Sequence, residues 1–285
     1  MISYKAEPTL FIMTKYLFLS LSILFTLNSQ AQTDRDIFAR TNAIDKKLVP
    51  YTSLAERDVM WSKRIWRIMD LKEKMNHPFY YPLESYGNMN SLFSLIRNHI
   101  KASELIAYDA IDDQFTVPLT KTAASVVGDK SETIFIENPV TEILEEEEIP
   151  IPLYSGDVMR FRIKEEWFFN KQRSVMDVRI IGICPVIEVM DDNGDYKGEL
   201  PMYWIYFPEV RSILARQETV NRWNDAERRT YDDLFLKRFF SSYVYKESNV
   251  YNRKISEYKV GLDALLEAKD IHNQIDNFEQ DLWEY

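Results

Sequence analysis

A single cysteine, Cys184, stands in a chain of 285 residues. One thiol closes no internal disulfide, so the fold has to rest on its core. Cys184 lies in the apolar run at residues 179–189, with no base beside it, and reads as a small buried residue. Glycine is also scarce, at 7 residues, and none are spaced as GxGxxG or GxxxxGKS. The backbone cradle that phosphates need is therefore missing. The three histidines, His77, His99 and His272, form no i,i+4 pair, and neither HExxH nor CxxC occurs. No GxSxG nucleophile elbow is present. Asp191, Asn193 and Asp195 begin like a calcium loop, which then fails at Tyr196 and Met202, where Gly and a bidentate Glu belong. No catalytic residue, cofactor site or metal site is expected.

Positive charge is in deficit. Lys and Arg total 35 against 45 Asp and Glu, a net charge of −10. Nucleic acid and anionic lipid, which call for a basic face, are poor partners for such a chain. After Ala31 no hydrophobic run is long enough to span a bilayer as a helix.

What is present begins with residues 13–31. Lys15 supplies a basic start, residues 16–27 an apolar stretch too short for a span, and Ser29 and Ala31 the small residues of a cleavage site. Glu7 and Pro8 do not suit a signal, so Met13 is the expected start. A buried N-terminal helix is the plainer alternative. The expected layout is a signal peptide at 1–31, an extended arm at 32–52, a core at 53–260 and an acidic helical tail at 261–285.

Aromatic content of 14% argues for a packed core. Ser53 and Glu56 suggest a capping box, followed by a helix carrying Trp61, Ile65, Ile68, Met69 and Met75 and stopping before Pro78. A second helix is expected over residues 90–108, through Leu92, Leu95, Ile96, Ile100 and Leu105. Residues 133–136 are strand-like, and the five glutamates within 142–148 read as an exposed connector. Strands at 158–164 and 176–189 and a return strand at 200–207, with turn chemistry at 191–195, make an antiparallel hairpin. Pro185 suggests an edge or a bulge. Helices are then expected at 209–216, 225–245 and 261–283, the last docking weakly or folding on a partner. The fold class is α+β, a central antiparallel hairpin or small sheet flanked by helices.

Residues 61–82 combine a basic, Trp-bearing segment with an aromatic exit between Pro78 and Pro82. Arginine and aromatics dominate binding hot spots, so Arg64, Trp66, Arg67, Tyr80 and Tyr81 are the candidate interface residues. Lys63, Arg64, Arg67, Lys72 and Lys74 lie early, against an acidic tail late. Opposite charge at two ends suits head-to-tail assembly, which can close into a ring. A competing reading, a hydrolase or carbohydrate-binding protein, requires Trp167, Trp204 and Tyr206 to line one open groove.

Several blocks resemble the GldN/PorN family. They are residues 57–61 (RDVMW), 64–67 (RIWR), 70–71, 73–76, 78–82 (PFYYP), 182–185 (GICP), 204–211 (WIYFPEVR) and 230–235 (TYDDLF). The resemblance implies a periplasmic component of the type IX secretion and gliding-motility machinery. It further implies a ring formed with an outer-membrane lipoprotein, GldK/PorK, and contact with the motor proteins GldL and GldM (PorL and PorM). It implies no catalytic residue.

Overall fold

The computed structural model describes residues 46–137, 144–191, 194–222, 224 and 226–282, with side chains of 130–150 excepted. The expected signal peptide, residues 1–31, and the arm up to residue 45 lie outside the described residues. Residues 46–52 belong to no helix or strand.

The elements in order are β1 (Val59–Asp70), α1 (His77–Tyr80), α2 (Leu92–Lys101), β2 (Ala107–Asp109), α3 (Lys121–Val126), β3 (Lys130–Glu137) and β4 (Leu144–Ile151). There follow β5 (Val158–Asn170), β6 (Val175–Met190), β7 (Tyr196–Pro201), β8 (Tyr203–Tyr206), α4 (Phe207–Leu214), α5 (Tyr231–Leu236), β9 (Tyr243–Glu247) and α6 (Leu262–Asp281). Seven strands form one antiparallel sheet in the order β2-β8-β6-β5-β1-β9, with β7 also paired to β6. The fold is α+β, as expected, and its sheet is larger than a hairpin.

The segment read as the first helix is strand β1. Ala55, not Ser53, precedes a short 3-10 turn at Glu56–Asp58, and no side chain caps it. β1 is an interior strand between β5 and β9, and residues 65–69 are all buried. A strand covered on both faces shows no alternation. Its apolar residues at 61, 65, 68 and 69 therefore imitate helical spacing.

The second helix forms but ends at Lys101. Ser91 caps it by accepting from Ser94 N–H at 3.2 Å, and Leu92, Leu95, Ile96 and Ile100 are its buried stripe. Ser103 turns left-handed, with φ of 64°, which releases the chain toward β2. The helix expected over 225–245 divides. A Thr230–Asp233 capping box starts α5. Arg238, at φ of 54°, then stops it, as Phe239 N–H donates to Leu234 O at 2.8 Å. Residues 243–247 become edge strand β9.

The glutamate run read as a connector is strand β4, antiparallel to β3, with Thr133 opposite Glu148 and Ile136 opposite Glu145. A ladder is made by backbone groups. The β-prone residues of β3 thus impose an extended partner whatever its side chains; Glu142 lies outside the described residues. Pro185 is on an interior strand, not an edge. It sits where the partner of β6 changes from β8 to β7, and its carbonyl accepts from Met202 N–H at 3.0 Å. A register shift in β5 at Val158/Arg160 lies next to it. The return strand is accordingly split into β7 and β8.

The main core packs Met69, Phe161, Ile163, Ile183 and Ile205 of the sheet against Phe79, Leu92, Ile96, Phe207 and Phe235 of the helices. A second cluster joins Ile65, Val244 and Ile255 to Ala268, Ile271 and Ile275 of α6. The acidic tail is therefore a helix docked through one narrow apolar row.

Candidate functional site

The candidate residues of β1 divide between the two sheet faces. Trp66 is only 5% exposed and packs with Cys184 and Trp204. Its ring lies between two ammonium groups, Lys246 at 4.4 Å and Lys164 at 5.6 Å. Lys164 is itself buried and bonds to Asp113, so burial lowers its affinity for a proton. Phe115 closes this cluster from above, with φ of 60°. Its ring approaches so near that a Cβ on Gly182 would stand 2.4 Å from Cζ, which is why glycine occupies that position.

Arg67 is on the opposite face and is also buried. Its Nε donates to Ser242 Oγ at 2.8 Å and its Nη2 to Ser242 O at 2.9 Å. Burial lowers its pKa, opposed by the nearby Glu165 carboxylate. Glu165, fully buried, receives Arg238 through two bonds of 2.9 and 3.3 Å and the Trp167 indole N–H at 3.1 Å. Trp66 and Arg67 are thus held in the core of the chain, because β1 is an interior strand and not a surface helix. Arg64 keeps about a third of its side chain exposed and faces Glu166 across the ladder at 3.4 Å.

The aromatic exit behaves differently. Tyr80 is half-buried and donates to Gly156 O at 3.2 Å. Tyr81 is 44% exposed and stands edge-on to His77 at 5.7 Å. Met75, Pro78 and Tyr81, together with Val220, Leu234 and Phe239, line a groove of about 590 Å³. Lys74, Arg222 and Arg229 also line it; no carboxylate does among the described residues. The Arg229 guanidinium lies 5.4 Å from the Phe239 ring centre and is paired with Glu227 at 2.7 Å. Val220, Arg229 and Phe239 come from loops far along the chain, and no motif in the sequence marks them. Of the five candidates, then, the structure gathers only Tyr81 into a concave apolar surface, leaves Arg64 half-buried beside Glu166 and half-covers Tyr80.

Cys184 is completely buried, and that burial pushes its thiol up to about 12. At neutral pH it is a packed thiol rather than a nucleophile. Trp204 is buried, whereas Tyr206 lines a separate cavity with Tyr51, Phe168 and Arg179. Trp167 lies under α6, edge-on to His272 at 6.3 Å. The three aromatics that a carbohydrate site needs do not share a groove. Among the described residues no helix is long and apolar enough to cross a membrane.

The described residues thus define an α+β protein built on a seven-stranded antiparallel sheet, with aromatics and cations gathered around one groove. A family model described as "Gliding motility associated protein GldN" matches residues 54–284, and the chain belongs to this family. Membership makes it a component of the gliding-motility and type IX secretion machinery. No curated protein matches the chain.

Proposed function

We propose that the chain is a non-catalytic periplasmic scaffold of the type IX secretion and gliding apparatus. It associates with itself in a ring, joins a GldK/PorK-like outer-membrane lipoprotein, and contacts the motor through GldM/PorM and GldL/PorL. The observation that carries this reading is the family match over residues 54–284. The signal pattern at residues 13–31 supports export, and it lacks the cysteine directly after the apolar stretch that a lipoprotein signal carries. The exposed Tyr81, with the half-buried Arg64 and Tyr80, remain the candidate interface residues.

The test is affinity capture of the tagged chain from native membranes under mild detergent. The expected result is recovery of one lipoprotein and the motor proteins together with untagged copies of the chain. A chain recovered alone, as a monomer, overturns the proposal.

A further inference from the structure

Helix α6 carries two apolar rows. Ala268, Ile271 and Ile275 face the sheet and are buried. Leu262, Leu265 and Leu266 lie on another side of the first two turns and are 70%, 60% and 51% exposed, with Val260 before them 82% exposed. Spacing of i, i+3 and i+4 makes one continuous stripe. A helix that needs only one row to dock on its own body has no folding reason for the second. Clustered exposed leucines of this kind mark an interaction surface. Charged residues frame the stripe: Asp263 and Asp270 are exposed beside it, Glu267 is half-exposed and paired with Lys259 at 4.0 Å, and the exposed Lys269 follows it on the next turn.

The groove between Tyr81 and Phe239 has the complementary character. It is lined mainly by apolar atoms, and its charged lining residues are Lys74, Arg222 and Arg229. We infer that this groove receives the Leu262–Leu265–Leu266 stripe of a second copy of the same chain. Apolar side chains then enter an apolar cleft, and Asp263 and Asp270 of the incoming helix meet Lys74 of its lining. Two different patches of one molecule meet, so the contact is heterologous, and its repetition gives a ring or a filament. The inference rests on the proposed scaffold function and names the surfaces by which copies of the scaffold join.

The experiment uses the full-length chain expressed in its host. One cysteine is placed on each surface, by Leu265→Cys and Val220→Cys, in a Cys184→Ala background. The expected result is a ladder of disulfide-linked multimers on a non-reducing gel, whereas either cysteine alone gives none. Monomer only, or an intramolecular bond, overturns the inference. A second arm uses purified chains whose unchanged circular dichroism and melting show that they fold. Leu265→Glu with Leu266→Glu removes the stripe, and Val220→Glu removes the groove. Each is expected to weaken self-association by about tenfold or more. An equimolar mixture of the two is expected to stop at dimers, because each dimer keeps one intact groove–stripe pair and both its ends are blocked. Association of either variant at the unaltered level overturns the inference and leaves the scaffold function standing if the lipoprotein still copurifies; loss of the lipoprotein from the unaltered chain instead overturns the scaffold function itself.

Discussion

Two arginines three residues apart on one strand have different physical roles. Arg67 is desolvated: its Nε and Nη2 bond to Ser242, just before β9, while Nη1 is buried without a partner, so removing the side chain strips two charge-assisted bonds and leaves a gap in the core. Arg67→Ala is expected to cost about 2–4 kcal/mol. Arg64 forms a ladder pair with Glu166 that water reaches from outside, and such pairs contribute less than about 1 kcal/mol. Urea denaturation of Arg64→Ala and Arg67→Ala measures the contrast, and equal midpoints would show that Arg67 is not the clamp its geometry suggests. For the same reason Arg67→Glu cannot serve as a surface charge reversal, whereas Arg64→Glu can. The letters at 64 and 67 are the same. The pleat of β1 turns the two side chains to opposite faces, and their places along the strand, Arg64 before the buried stretch at 65–69 and Arg67 within it, separate a half-buried cation from a buried one.

At the scale of elements, the acidic terminal helix is the most informative. Its buried row contacts Ile65, Val244 and Ile255, a cluster separate from the main core. Truncation after Val260 is therefore expected to leave a cooperatively folding chain that has lost about 3–5 kcal/mol, and Ile271→Ala alone to cost about 2–4 kcal/mol. Thermal melts of both variants check this. A truncated chain without a folding transition would make α6 part of the primary core, and one as stable as the parent would mean that the helix is not docked. Helix α6 was legible in sequence as a weakly amphipathic helix, but the row that docks it was not: of its apolar residues Leu262, Leu265 and Leu266 are exposed, and Ala268, Ile271 and Ile275 are buried. Strand β1 was not legible, because a strand buried on both faces has no alternation to read. β9, an edge strand, was hidden inside an aromatic run. Whether Tyr243 and its neighbours continue a helix or pair with β1 depends on the left-handed turn at Arg238, a residue type that carries no signal for one.

For the whole molecule, burial of acidic protons sets an alkaline limit. Cys184 is held up to about 12, and burial raises Tyr203, Tyr231 and Tyr245 as well. In the unfolded chain these groups lose protons near about 8.5 for the thiol and about 10 for the phenols. The unfolded state therefore releases protons first as pH rises. Stability attributable to these groups is complete at neutral pH and declines from about pH 9 upward, toward the higher folded values. Urea midpoints are expected to be level between about pH 7 and 8 and clearly lower near about pH 10.5. A midpoint unchanged at the higher pH would mean that these groups reach water in the native state. The same burial predicts that assembly, driven by side chains on the outside, is insensitive to thiol reagents that fail to reach Cys184.

Composition and short-range pattern on their own determined the class of this protein: an acidic chain without a disulfide framework, a phosphate loop or a zinc motif, bearing a leader-like segment and the residue blocks of its family. These are properties of residues and their near neighbours, and they need no partner in space to be read. Tertiary structure decided which candidate side chains face water. Trp66 and Arg67 are enclosed because β5 and β9 lie on either side of β1, and Tyr81 gains a groove because Val220 and Phe239 arrive from well over a hundred residues away. A surface made by segments distant along the chain exists only after the backbone has closed, since no local rule links residues that meet solely through the fold.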